Sequence, residues 1–259
     1  MTYTNPMSLE GRNIVVTGAA KGIGLEVTRQ ILAVGGTVTM IDVNEADLTA
    51  AVGYLDKDKV LYLSGSVTDP DFMARAVAEA VARFGAVHGL VNNAGIVRAA
   101  MIAKMTMQQW QQVLDVNLTG AFVALQAVGR HMLLRAEAGG TNIGSIVNIS
   151  SDAGRRGTIG QINYGAAKAG LFGLSMSAAQ EWAKHEIRVN TVCFGLVETD
   201  MTEMLRSDKF RDRSLAKIPM GRWVQADQAA RSILYLLSDA SELVTGQTYS
   251  VNGGAHMHP

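Results

Sequence analysis

Short runs rich in β-branched residues alternate with longer segments of helical period along almost the whole chain, and this alternation restricts the fold more than any other feature. The strand-like runs are Asn13 to Thr17, Thr37 to Asp42, Val60 to Ser64, Gly89 to Asn92, Ser145 to Ser150, Arg188 to Phe194 and Thr248 to Val251. Helical patterns lie between them at Gly22 to Val34, Asp69 to Phe84, Thr106 to Ala136, Tyr164 to His185 and Asp227 to Leu237. Runs such as Ile146-Val147-Asn148-Ile149 are nearly continuous rather than alternating, as required of strands covered on both faces. The expectation is an α/β protein, a doubly wound parallel sheet of about seven strands with helices on both faces. With 259 residues, 48% of them hydrophobic, the chain can close one core, and 1–259 reads as a single domain.

Charge and composition exclude several classes of partner. Lys plus Arg equals Asp plus Glu at 23 each, so no net field draws the chain to nucleic acid or to an anionic membrane. No apolar run approaches the roughly 20 residues that span a bilayer. The single cysteine, Cys193, forms no intrachain disulfide, and the first residues lack the basic and apolar blocks of a signal peptide. A cytoplasmic setting is expected. His131, His185, His256 and His258 have no metal-ligand spacing with carboxylates or cysteine, so no metal is expected; His88 reads as a turn residue. The thirteen methionines read as packing residues.

Directly after the first strand comes Thr17-Gly18-Ala19-Ala20-Lys21-Gly22-Ile23-Gly24. Gly18 permits a tight turn, Gly22 lets backbone approach a pyrophosphate, and Gly24 lets the helix pack close to the sheet, with the helix N-terminus supplying free N–H groups. The second strand ends in Asp42, 18 residues beyond Gly24, where a carboxylate can accept from both hydroxyls of an adenosine ribose and repels a 2′-phosphate. NAD(H) is therefore favoured, with NADP possible through Lys21, whose flexible cation weighs less than the carboxylate. Asn92-Asn93-Ala94-Gly95 ends the fourth strand close to the expected path of the cofactor ribose.

Tyr164 and Lys168 are four residues apart on a helical segment, so they share a face. A free phenol titrates near pH 10, and a neighbouring ammonium favours the phenolate, which makes Tyr164 a usable acid/base. Ser151 stands 13 residues before Tyr164, and its hydroxyl can hold a reacting oxygen. Asn117, inside the long fourth helix, is a poor choice for a plain buried helix and points to a polar task such as holding a water in a proton relay.

Taken in this order behind a glycine turn, these residues resemble the short-chain dehydrogenase/reductase family, from about Leu9 to Gly254. The resemblance implies a seven-stranded Rossmann sheet, hydride transfer between a nicotinamide and a secondary alcohol or ketone, and a homo-oligomer, tetramer or dimer. It implies Tyr164 as acid/base, Lys168 holding the nicotinamide ribose and lowering the tyrosine pKa, Ser151 positioning substrate, and Asn117 supporting a water that links Lys168 to solvent. It further implies cofactor contacts from Gly18, Lys21, Gly22, Ile23, Gly24, Asp42, Ser66, Val67, Asn93, Ala94, Gly95, Gly195, Val197 and Thr199, with Thr199 at the carboxamide. Two departures stand out. Phe194-Gly195 replaces the usual Pro-Gly, and Ser66 precedes Val67 where an acidic residue usually contacts adenine.

The tail from Thr245 to Gly254 looks like that of the family's 3-oxoacyl-acyl-carrier-protein reductases. That activity, with NADPH, ranks second here to a small alcohol or ketone substrate, because the carrier is acidic and Gln180-Glu181-Trp182 is not conspicuously basic. A dinucleotide-binding regulator without chemistry ranks last, since a sensor has no use for Asn117, Ser151, Tyr164 and Lys168 together. Two segments break the alternation. Ala138 to Gly144 reads as a surface turn, and Leu196 to Met220, with Met201, Met204, Leu205 and Phe210 among charges, reads as a lid. Arg155 and Arg156 suggest an anionic substrate but read more simply as exposed loop residues.

Overall fold

A computed structural model describes residues 5–257, apart from the side chain of Leu205; His258 lies outside them. The strands are β1 (Asn13–Thr17), β2 (Thr37–Asp42), β3 (Val60–Ser64), β4 (Gly89–Asn92), β5 (Gly144–Ser151), β6 (Ile187–Phe194) and β7 (Thr248–Val251). The helices are α1 (Gly22–Ala33), α2 (Glu45–Val52), α3 (Pro70–Phe84), α4 (Met107–Leu114), α5 (Gly120–Glu137), α6 (Ala153–Arg156), α7 (Ile162–Trp182), α8 (Glu203–Arg206), α9 (Asp208–Leu215) and α10 (Ala226–Leu237). All strand pairs are parallel, in the order β3-β2-β1-β4-β5-β6-β7. The order reverses between β1 and β4, which leaves a crevice at their carboxyl ends.

Alternate residues of the buried strands feed two cores. Ile14, Val16, Val38, Met40 and Val147 pack with Val27 and Ile31 of α1 and Ala230 and Ile233 of α10. Val15, Ile41, Leu90, Ile146 and Val189 pack on the other face with α3, α5 and α7. There Gly129 of α5 meets Trp182 of α7, and a methyl on Gly129 would stand 2.4 Å from the indole. These helices approach closely because one of them has no side chain at the crossing.

The seven expected strands are present. The helix α2 was not expected; Asn44 starts it by accepting from Asp47 N at 3.2 Å. The single long helix read over Thr106 to Ala136 is interrupted by one π turn, Asp115–Thr119, between α4 and α5. Leu196 to Met220 is built of short helices, and α9 has no buried residue.

His88 is more than a turn residue. Its Nδ1 accepts from Asn13 N at 3.1 Å, so it continues the pairing of the segment ahead of β4 with β1 and must be unprotonated to do so. Burial, with the cations Arg135 and Arg12 nearby, pushes its pKa down to about 4. The folded chain thus binds fewer protons than the unfolded one between about pH 6.5 and 4. Stability should be full above pH 6.5 and fall as the pH drops through that window. Melting temperatures across the window should show this slope, and His88→Gln, which cannot take up the proton, should reduce it; identical slopes for both proteins would assign the loss to other groups.

Candidate active site

The crevice opens into a cleft of about 610 Å³. Its floor is the glycine turn, where Gly18 and Gly22 have φ of 63° and 58°, conformations that disfavour a side chain. At Gly24 the restriction is space, because a methyl there would stand 2.1 Å from the carbonyl oxygen of Gly18. The first turn of α1 carries no side-chain cap, so its orphan N–H groups and positive end remain free beside Gly22 and Ile23. Among the described residues the turn therefore fits a pyrophosphate, and the cleft is large enough for a dinucleotide's reactive half.

Asn93 sits at this point but its side chain is spent on the protein. Its Nδ2 donates to the carbonyls of Thr17 (3.1 Å) and Gly18 (2.9 Å), and the Thr17 hydroxyl accepts from the backbone N–H of Asn93 and Ala94, both at 3.1 Å. The loops after β1 and β4 are thereby stitched together. Ala94 and Gly95 line the cleft through their small size.

Asp42 stands at the end of β2 on the cleft wall, oriented by Ala20 N on Oδ2 and Asn44 N on Oδ1, each at 3.1 Å. Lys21 is drawn away from it. Its Nζ pairs with Asp47 on α2 at 2.8 Å, a contact that raises the lysine pKa. The sequence reading missed Asp47 because α2 itself was not recognised. Ser66 and Val67 reach the wall as expected, but the Ser66 hydroxyl is engaged locally, 2.8 Å from Thr68 Oγ1.

Ser151 closes β5, and Tyr164 and Lys168 project from the first turns of α7 into the same cleft. Tyr164 is half-buried as a residue, with its hydroxyl inward near the Ser151 side chain. Burial pushes that phenol up to about 12, and the Ser151 contact opposes the rise. Lys168 is buried, its Nζ donating to Ile149 O at 2.7 Å and lying 5.7 Å from the centre of the Tyr164 ring. Burial lowers its pKa to about 8. Against the expected lowering by the ammonium, the net shift of the phenol is upward, with burial its largest cause. The phenol is therefore protonated and the lysine largely cationic at neutral pH.

Asn117 is buried in the π turn with both ends of its carboxamide taken by Ile96, N to Oδ1 at 2.8 Å and Nδ2 to O at 2.9 Å. A methyl on Gly95 would lie 3.2 Å from Asn117 Oδ1 and 3.6 Å from Lys168 Nζ, so Gly95, Asn117 and Lys168 converge. The π turn also takes the main chain around Asn117 out of the regular helical hydrogen-bond ladder.

Gly195, Val197 and Thr199 form the far wall. Gly195 is hemmed in by Asn252, whose Cβ would be 2.9 Å from an added methyl. Thr199 closes toward the glycine turn; a methyl on Gly22 would meet the Thr199 methyl at 3.5 Å. Phe194 is buried and lines the cleft where the family's proline was expected. The wall also includes Asp152, Arg156, Thr158 and Gln161, of which only Arg156 drew attention in the sequence.

The family model described as enoyl-(acyl carrier protein) reductase matches residues 18–256. The chain belongs to the short-chain dehydrogenase/reductase family. It is 40% identical to the 3-oxoacyl-acyl-carrier-protein reductase FabG of Thermotoga maritima, over 96% of this chain and 99% of that protein. To the FabG of Escherichia coli strain K12 it is 39% identical, over 97% of this chain and all of that one. A solved short-chain dehydrogenase/reductase from Brucella melitensis, described as glucose/ribitol dehydrogenase, superposes with a TM-score of 0.89 at 29% identity, covering 97% of this chain and 99% of that one. As a member of this family the chain is an oxidoreductase of CH–OH groups that uses a nicotinamide dinucleotide. No described helix is long and apolar enough to cross a membrane.

We propose Tyr164 as the proton carrier of this site. Tyr164→Phe keeps the ring and removes the proton, so turnover should drop about 100-fold or more. Dinucleotide affinity, read by fluorescence titration, should stay within about threefold. A mutant as active as the parent would remove Tyr164 from the chemistry.

Proposed function

We propose that this dehydrogenase/reductase reduces the keto group of a 3-oxoacyl thioester, with NADH as donor. The substrate half of this reading rests on the curated relatives, which favour the activity that the sequence reading ranked second. The cofactor half rests on Asp42, whose carboxylate faces the cleft while Lys21 is occupied by Asp47. A 2′-phosphate beside Asp42 would meet like charge while the nearby Lys21 is engaged by Asp47.

A bound nicotinamide supplies the hydride. The chain's own residues do the rest. Ser151 holds the ketone oxygen, Tyr164 donates its proton to that oxygen, and Lys168 stabilises the resulting phenolate and holds the ribose. The backbone of Asn117 supports the water that returns a proton through Lys168. Gly18, Gly22, Ile23 and Gly24 hold the pyrophosphate, Asp42 the adenosine ribose, Ser66 and Val67 the adenine, and Gly195, Val197 and Thr199 the carboxamide end. The segment 196–220 acts as a lid, and the exposed Phe122, Met176 and Tyr249 support assembly with further copies of the chain.

A second reading keeps the chemistry but takes a small ketone or secondary alcohol as substrate. The absence of basic residues at Met176, Gln180 and Glu181, all exposed along α7, favours it over an acidic carrier protein. One assay separates the two: kcat/KM with NADH and with NADPH, for acetoacetyl-coenzyme A against a panel of unactivated ketones. NADH should be preferred about tenfold or more with acetoacetyl-coenzyme A as the better substrate. Preference for NADPH would overturn the weight given to Asp42, and preference for a simple ketone would select the second reading.

Because α9 buries none of its residues, the lid has little to hold it shut without ligand. Amide exchange across 199–217 should slow when NADH and a substrate analogue bind together. Unchanged protection, with binding confirmed separately, would make the segment a static wall.

A further inference from the structure

The tandem arginines after Ser151 are not equivalent. Arg155 stacks its guanidinium over the Phe172 ring, 5.4 Å from its centre, and reaches the buried thiol of Cys193. It is a packing residue. Arg156, one position on, lies at the end of α6 and lines the cleft together with Ser151, Thr158, Gln161 and Tyr164.

The nearest charge to Arg156 is Asp152, at 4.0 Å, which is too long for a hydrogen bond. Asp152 is held without it. The carboxylate is buried, accepts Asn252 Nδ2 at 3.1 and 3.3 Å on its two oxygens, and takes the Cys193 thiol at 3.6 Å. Arg156 is therefore a tethered but underused cation: five guanidinium N–H donors, a side chain 42% exposed, and no side-chain hydrogen bond to the described residues. The Asp152 charge keeps it directed along the cleft wall. Unlike Lys21, it is not spent on a close partner.

We propose that Arg156 anchors an anionic oxygen group, carboxylate or phosphate, carried by the substrate away from its reacting carbonyl. This rests on the reading of the cleft as a ketone-reducing site and adds the substrate's charge to it. A free 3-oxo acid would present a carboxylate and a coenzyme thioester a phosphate, and the guanidinium fork recognises both.

The test uses compounds that share the 3-keto group: acetoacetate, acetoacetyl-coenzyme A, the neutral thioester of N-acetylcysteamine, and methyl acetoacetate. In Arg156→Ala the kcat/KM ratio of an anionic substrate to its neutral counterpart should fall about 10- to 100-fold, the worth of a charge-assisted hydrogen bond, mostly through KM. Arg156→Lys should recover part of the loss. A fall confined to acetoacetate identifies a carboxylate, and one confined to acetoacetyl-coenzyme A a phosphate. A ratio within threefold of the parent's for both anions overturns the proposal. If the parent reduces none of the four, the 3-oxoacyl reading fails separately, and calorimetric titration of the dinucleotide-loaded protein with acetoacetate decides the anchor. Binding weakened about tenfold in Arg156→Ala supports it; no binding to the parent, or equal binding to both, overturns it.

Discussion

The close contact between the loops after β1 and β4 is the constraint on which the site depends. Gly24 has no room for a methyl because the helix start lies against the Gly18 carbonyl, and Asn93 and the Thr17 hydroxyl lock that turn to the neighbouring strand end. The parallel sheet makes this possible, since every strand delivers its carboxyl end to the same edge. With that seam fixed, the positive end of α1, the Asp42 carboxylate and the Ser151–Tyr164 pair all face one cleft.

Burial then sets the chemistry. The same loss of solvent pushes the Tyr164 phenol up and the Lys168 amine down, so the two pKa values move apart. The resting pair is a neutral phenol and a cation, a state suited to giving a proton to a ketone oxygen. The π turn at Asp115–Thr119 belongs to the same arrangement. It brings Asn117 onto Ile96 and beside Lys168, where an uninterrupted helix would carry the carboxamide past them.

The charged groups around the cleft are sorted by their partners rather than by their number. Lys21 goes to Asp47, Arg155 to Phe172, and Asp152 to Asn252, one hundred residues away in sequence. Of the two arginines, Arg156 is the one left on the wall without a close partner. Such sorting gives a chain of zero net charge a site with local preferences.

The sequence by itself determined the seven-strand alternation, the glycine turn, Asp42 at the end of β2, and the order Asn117, Ser151, Tyr164, Lys168. Each is written in a local pattern: period, φ requirement or helical spacing. It did not show α2, whose eight residues are too short for a clear period, nor the π turn, which local composition does not mark. Tertiary structure alone decided that Lys21 is spent on Asp47, that Asn93 serves the glycine turn, that the phenol is raised rather than lowered, and that Arg155 and Arg156 part ways. These outcomes depend on which groups meet across the sheet and on how much water is excluded where they meet, and neither quantity is carried by neighbours along the chain.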